Sequence, residues 1–527
     1  MTDNHRWWHG ATVYHVYVRS FADSNGDGYG DLRGLRSRLD YLEWLGVDAI
    51  WLSPINPSPD CDWGYDVSDY RDVHPDLGTL DDLENLVTDL HGRNMRLVLD
   101  LVPNHTSDRH AWFVESRSSR DSPYRDYYVW ADAKPDGAPP NNWTDDVGDG
   151  AWEWDETTGQ FYLHNFLPGQ PDLDWRNPAV RSEFDGILDF WFDRGVDGFR
   201  IDVANGLVKD RELRDNPPLP DPADPDHPVQ GQFGLEHVHN FNQPEVHDVY
   251  RSWRRRTELR SDPPLLMGET WVVRVDELAP YYGRHGDGLN LALNFPLIFA
   301  PFTPPALSAV IADSLAAFPD DARPVWCGSN HDLPRLGTRW ADGDQRRIRM
   351  AHLVLGALSG THVIYYGDEL GLSDNEVPAD LQRDPLTKGG YHGQWPRDNA
   401  RAALRWDSTT TAGFGDGTPW LPLTTSPVGD VATQRGDAGS TLNLVRDLIS
   451  LRARFGKPDV ASYEPVEVTD TLWRFVSGAF AVSANFSDEP VALEDRGEVL
   501  LRSGDAPGGT SAGVLAPWEA VITTRIA

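Results

Sequence analysis

Four acidic residues stand where apolar, β-rich runs end: Asp100 closes LVLD, Asp202 closes GFRID, Glu269 closes LLMGE and Asp332 follows GSNH. Any one of them reads equally as a helix cap or a solvated loop acid, but four at equivalent positions ask for a common task. Two carboxyl groups facing each other across a sugar are what glycosidic cleavage requires. One protonates the leaving oxygen while the other attacks, or assists attack, at the anomeric carbon. Arg200 lies two residues before Asp202, so strand alternation places both side chains on one face, where the guanidinium would keep Asp202 ionised. Glu269 is flanked by Leu265, Leu266, Met267 and Trp271, neighbours that favour its protonated form.

Such residues meet only if their runs are neighbouring strands. The runs VYHVYV, DAIWLS, MRLVLDLV, DGFRIDV, LLMGETW, LNLALNF, PVWCGSN and THVIYYG alternate with stretches of helical periodicity such as LDDLENLVTDLHG and VRSEFDGILDFWFDRG. Eight strand-helix units predict a closed (β/α)8 barrel with its chemistry at the C-terminal strand ends. Two connections are too long for barrel loops. The barrel is therefore expected over 1–103 and 173–456, with an inserted domain over 104–172 after the third strand and a subdomain over 371–438 after the eighth. Short alternating segments predict an antiparallel β domain over 457–527, and RDNPPLPDPADPDHPVQ reads as an irregular loop near the barrel mouth.

Across 527 residues, 82 acidic against 47 basic side chains give a formal net charge of −35. A surface of that sign repels nucleic acid and anionic membranes, so a neutral substrate is expected. The first residues carry neither the basic segment nor the apolar run of a secretory signal, and no later stretch has the length of a membrane span. A cytoplasmic protein is expected. Cys61 and Cys327 read as two reduced thiols. In DSNGDGYGD, Asp23, Asn25, Asp27 and Asp31 alternate with small residues, so several oxygens can converge on one hard cation. No organic cofactor is expected.

The motifs DLVPNH at 100–105, QPDLDW at 170–175, GFRIDVAN at 198–205, GETW at 268–271 and SNHD at 329–332 together resemble the α-amylase family, glycoside hydrolase family 13, and within it the α-glucosidase and oligo-1,6-glucosidase branch. That resemblance covers almost the whole chain. It implies a retaining hydrolase in which Asp202 is the nucleophile, Glu269 the general acid/base and Asp332 the third carboxylate, with Arg200 ordering the nucleophile. His105 and His331 resemble the histidines that hold the innermost sugar, and Asp100 supports the site from below. Asp62 in CDWGYDVSDY resembles the acid that grips a terminal glucose in exo-acting members, with Tyr65 stacking on the same sugar. Arg401 in RDNARAALRWD is expected to close the pocket opposite Asp62, with Arg397 as the other candidate. The loop at 23–31 resembles the family's structural calcium or magnesium site, with the Tyr29 carbonyl as a further ligand. Val203, after the nucleophile, resembles members that accept α-1,6 bonds, and Phe166 is expected to wall the subsite beside the cleaved bond. Asp174 departs from the usual Asn. A small oligosaccharide is the expected substrate. The rival readings are a transglycosylase or trehalose-forming isomerase on the same carboxylates, a non-catalytic relative that lacks them, and a metal-dependent barrel hydrolase.

Overall fold

The structure, a computed structural model, describes residues 6–219, 234–388, 396–425, 427–455, 462–493, 497–504 and 513–525. The strands fall in chain order as β1 Thr12–Val16, β2 Ala49–Leu52, β3 Arg96–Leu101, β4 Trp130–Ala131, β5 Trp152–Asp155, β6 Gln160–Leu163, β7 Gly198–Ile201, β8 Leu265–Gly268, β9 Leu291–Ala292, β10 Val325–Cys327 and β11 Thr361–Tyr365. Eight of them form one parallel sheet in the order β10-β11-β1-β2-β3-β7-β8-β9. A parallel bridge between Leu293 and Val325 joins its two ends, so the expected barrel closes. Alternation along the strands sends Val13, Trp51, Val98, Met267, Leu291, Cys327 and Val363 into one shared core cluster. The chain's apolar run LNLALNF yields a strand of only two residues because side chains take over ladder bonds. Asn290 Oδ1 accepts the Leu266 N–H at 2.8 Å, and the Ala292 N–H goes to the Tyr282 hydroxyl at 3.3 Å.

Helices fill the crossovers where the sequence supplies caps. Leu80–Gly92 begins in a capping box between Thr79 and Asp82, and Pro178–Phe192 begins behind Asn177 with Pro at its start. The last crossover helix, Thr441–Arg454, carries Arg452, whose guanidinium donates to the carbonyls of Gly10, Gly356, Leu358 and Gly360. One buried cation thus ties together the chain segments beneath β1 and β11.

After β3 the chain leaves the barrel for a three-stranded antiparallel sheet, order β4-β6-β5, around Trp143, Trp152, Phe161 and Leu163. It returns through bridges from His105 to Asp172 and from Tyr128 to Leu173. At the C-terminal end, β12 Glu464–Val468, β13 Leu472–Ser477, β14 Phe480–Asn485, β16 Val499–Arg502 and β18 Ala520–Thr524 form an antiparallel sheet, with β15 Val491–Ala492 and β17 Val514–Leu515 paired beside it. Its face of Trp473, Phe475, Phe480, Val482 and Ile522 shares a core with Ile348 and Leu355 of the barrel helix Gln345–Ala357. The expected start of this sheet at 457, the 220–230 part of the Pro-rich loop and the 389–395 part of the late excursion lie outside the described residues. Cys61 and Cys327 are free thiols. Among the described residues, no helix is long and apolar enough to cross a membrane.

Candidate active site

The register of three neighbouring strands gathers the acids. Asp100 on β3 sits opposite Arg200 on β7, and Arg200 lies opposite Met267 on β8, two residues before Glu269. Arg200 Nη1 is 2.7 Å from both Asp100 Oδ1 and Asp202 Oδ1, and its Nη2 is 2.6 Å from Glu269 Oε1. The guanidinium also lies over Trp51, 5.2 Å from the ring centroid. One buried cation therefore faces three carboxyl groups, and a single positive charge cannot keep three acids ionised away from water. Burial raises Asp202 well above the usual carboxylate range, raises Glu269 as well, and carries Asp100 up to about 7, in each case against the opposing pull of Arg200. The guanidinium expected to order Asp202 is shared with Asp100 and Glu269, and burial still favours the protonated form of Glu269 against its pull. The three acids titrate as a unit that retains protons.

Glu269 has a second anchor. Its Oε2 accepts the N–H of Val203 at 3.0 Å, and Val203 adopts φ +45°, a conformation that a β-branched residue rarely takes. Gly206 makes room for it, since a Cβ at that position would lie 2.6 Å from Val203 Cγ1. Strain of this kind persists only where the surroundings over-determine it, and here it aims an amide at the Glu269 carboxyl.

Around the acids lies a pocket lined by Asp62, Tyr65, His105, Phe166, Asp202, Val203, Glu269 and Asp332, together with Asp145, Asp146, Gln170, Trp271 and Arg397. Tyr65 donates to Asp100 Oδ2 at 3.1 Å and stacks with its ring nearly parallel to His331, whose Nε2 is 3.1 Å from Asp332. His105 Nε2 lies 3.0 Å from the Tyr65 carbonyl, and burial lowers the pKa of both histidines, holding them neutral. Phe166 packs against His105 at 5.1 Å between ring centroids.

Arg397, rather than Arg401, meets Asp62. Its Nη2 is 2.8 Å from Asp62 and 2.7 Å from Asp384, and its Nη1 is 3.3 Å from Asp332. Arg401 sits fully buried behind the pocket, donating to the His331 carbonyl at 2.8 Å and to Asp332 at 2.9 Å, with Tyr17 beneath it. The reason is local: Arg397 opens a short 3-10 turn, Arg397–Ala400, whose exit turns Arg401 inward. Asp384 and Asp146 have no signal in the sequence, because each meets the site from a separate excursion.

The 23–31 loop lies apart from this pocket. Asp23 accepts the N–H groups of Asn25, Gly26 and Gly28, while Asp31 caps the helix Leu32–Ser37 and accepts from Ser24. Its donors are oxygens only, three carboxylates, an amide and the Tyr29 carbonyl, a set whose chemistry suits a hard cation. Their carboxylates bond within the loop rather than converging. Among the described residues, the group of three acidic or histidine ligands whose donor atoms lie within 4.8 Å of one another is Asp60, His74 and Asp76. That group already holds Arg19, 2.7 Å from Asp60.

A family model described as alpha amylase, catalytic domain, matches residues 15–457, and a domain of unknown function, DUF3459, matches 467–522. A probable alpha-glucosidase of Rhizobium meliloti is 43% identical over 89% of this chain and 87% of its own length. An oligo-1,6-glucosidase of Heyndrickxia coagulans is 35% identical over 98% and 99%. Among solved structures, an alpha-glucosyl transfer enzyme is 36% identical with a TM-score of 0.89, covering 99% of this chain and 100% of that one. The trehalulose synthase MutB from Pseudomonas mesoacidophila MX-45 is 32% identical with a TM-score of 0.88 over 99% and 100%.

Proposed function

This chain belongs to the α-amylase family and is a glycoside hydrolase, and from that premise we propose that it is a retaining, exo-acting α-glucosidase that releases glucose from the non-reducing end of short α-glucosides. The observation that carries the reading is the convergence of Asp202 and Glu269 on one guanidinium at the floor of the pocket. Asp202 and Glu269 lie 2.7 Å and 2.6 Å from nitrogens of that one guanidinium, a convergence that supports the closely spaced carboxyl pair of a retaining enzyme.

In the first step Glu269 gives its proton to the glycosidic oxygen as Asp202 attacks the anomeric carbon. The C–O bond to the leaving group breaks, the aglycone departs as an alcohol, and an ester forms between glucose and Asp202. In the second step Glu269, now ionised, takes a proton from water as the water oxygen attacks the same carbon, and Asp202 leaves as a carboxylate. Two inversions restore the original anomeric configuration. Arg200 holds both carboxyls in place, the Val203 N–H fixes Glu269, and Asp332 with His105 and His331 receives sugar hydroxyls. Asp62 and Arg397 close the pocket end, which supports exo action on a chain terminus. Val203 and the oligo-1,6-glucosidase relatives support acceptance of α-1,6 bonds. The loop residues Asp23, Asn25, Asp27, Tyr29 and Asp31 would hold a calcium or magnesium ion, which when bound neutralises the loop's carboxylates and takes no part in bond cleavage.

Asp202→Asn is nearly isosteric and removes the nucleophile. The folded variant is expected to lose at least about 10³-fold in kcat on maltose and isomaltose. Wild-type product should be glucose that appears first as the α anomer. A folded Asp202→Asn protein with normal turnover, or β-glucose as the first product, would overturn the mechanism. An isomeric disaccharide in place of free glucose would overturn hydrolysis.

A further inference from the structure

Among the described residues, the pocket wall carries six acids, Asp62, Asp145, Asp146, Asp202, Glu269 and Asp332, against the single guanidinium of Arg397. Five of the six are engaged. Asp62 is held by Arg397 and Gln170, Asp202 and Glu269 by Arg200, and Asp332 by Arg401 and Arg397. Asp145 accepts the N–H groups of Val147 and Asp149 and so shapes its own turn. Asp146 differs. Its N–H is anchored to the Asn165 carbonyl at 2.9 Å, while its half-buried carboxyl makes no hydrogen bond or ion pair with any described residue. Arg397, the cation nearest in influence, already serves Asp62, Asp332 and Asp384.

We propose that Asp146 is a specificity-determining residue of this pocket, one that offers a free carboxyl to the hydroxyl groups of an uncharged glucoside and turns away glucosides that carry a phosphate. The proposal rests on the glucosidase reading and narrows its substrate class. A half-buried carboxyl without a protein partner is open to a ligand in the pocket, and a sugar hydroxyl can serve it as donor or acceptor. A phosphate dianion can only accept. It would meet Asp146 beside Asp62, Asp145 and Asp332, with one cation already committed three ways.

Those neighbours also set how the discrimination varies with pH. Burial pushes the Asp146 carboxyl up to about 8, Arg397 pulls it down, and Asp62, Asp145 and Asp332 push it up further. His237, on the same wall, is held near 4 by burial and stays neutral. Below its pKa, Asp146 keeps a proton that a phosphate oxygen can accept. Above it, the added charge repels the phosphate.

The test uses the whole enzyme with p-nitrophenyl α-glucoside as reporter and glucose and glucose 6-phosphate as competitive inhibitors, at about pH 7 and about pH 9, where the phosphate is largely dianionic throughout. In the wild type, the inhibition constant of glucose 6-phosphate relative to that of glucose should grow roughly tenfold from about pH 7, where Asp146 keeps its proton, to about pH 9, where its charge repels the phosphate. Asp146→Asn should abolish that growth, and Asp146→Ser serves as the second variant should the first fold poorly. Equal binding of the two sugars by the wild type at about pH 9, or the same pH-dependent growth in a folded Asp146 variant, would overturn the proposal. Failure of the wild type to cleave the reporter would instead overturn the glucosidase reading, so the two failures are distinguishable.

Discussion

Arg397 and Arg401 lie four residues apart on one segment, yet their surroundings assign them different work. Arg397 lines the pocket and bridges Asp62, Asp332 and Asp384, so its loss takes one counter-charge from all three acids and leaves Asp332 with Arg401. Arg397→Ala is expected to lower kcat/KM on isomaltose by about 100-fold, on the order of 3 kcal/mol, mostly through KM. Arg401→Ala removes a fully buried cation that holds the His331 carbonyl and Asp332 from behind, so it should cost about 3 kcal/mol of stability as well as activity. Parallel kinetics and thermal denaturation of the two variants check the contrast, and equal effects of both on stability would count against it. The sequence could not choose between the two arginines, since the choice depends on which way one short 3-10 turn exits. Asp202, Arg200 and Glu269 were legible because alternation and strand ends are local properties of a parallel barrel. What alternation could not show is that neighbouring strands deliver Asp100 and Glu269 to the same guanidinium as Asp202. Asp146 was invisible for the same reason, as its pocket neighbours come from elsewhere in the chain, whereas Asp384 meets Arg397 13 residues on in the same excursion through a fold that no periodicity marks.

At the scale of elements, all eight barrel strands were legible as apolar β-rich runs, and the exception in detail is instructive. LNLALNF gives only Leu291–Ala292 as strand because Asn290 and Tyr282 side chains replace part of the ladder, a substitution that depends on tertiary contacts. The 23–31 loop shows a dependence of the same kind. A Cβ on Gly28 would lie 2.1 Å from the Thr418 carbonyl oxygen, the Gly28 carbonyl accepts from Trp420 N–H, and Asp23 N–H donates to Phe414 O. The loop therefore braces the excursion whose earlier part carries Arg397 and Arg401. An ion bound there would stabilise the folded state by mass action, by about 2.7 kcal/mol at a hundredfold excess over its Kd. Stripping divalent ions with a chelator should lower Tm by several degrees, reversibly on adding calcium or magnesium, and Asp27→Ala should abolish the response. The activity measured well below Tm should keep its pH profile, because the loop does not line the pocket that holds Asp202, Glu269 and Asp332. A Tm indifferent to chelator in the wild type would remove the ion from the account.

For the molecule as a whole, the buried ionisable groups predict how stability follows pH. Burial lowers the pKa of His15, His105, His110, His237, His331, His352 and His362. Unfolded histidine titrates near about 6.5, so the stability these groups contribute is present above that value and is lost as pH falls below it. Buried carboxyls act in the opposite sense. Burial carries Asp100 and Glu369 up to about 7 and Asp146 up to about 8. Unfolded carboxyls titrate near about 4, so folding takes up protons, and the stability so gained is fully present below that value and is lost as pH rises through the folded values. Between about 4.5 and 6.5 the two sets oppose each other; above about 6.5 the histidines have finished and only the carboxyls still titrate. The formal charge of −35 adds self-repulsion of the same sign. Thermal denaturation across pH should therefore show a maximum near about pH 6 to 6.5 and a steady fall toward about pH 8.5. Glu369 lies away from the pocket, accepting from Tyr14, Tyr41 and the Gly367 N–H, so Glu369→Gln isolates one contributor without touching substrate contacts. That variant should be less stable at every pH but fall less steeply between about pH 6.5 and 8.5, since the proton it would have released is gone. A Tm that stays flat or rises over this interval in the wild type, or an unchanged slope in the variant, would show that burial of these acids is compensated in the folded state by water or by bound cations.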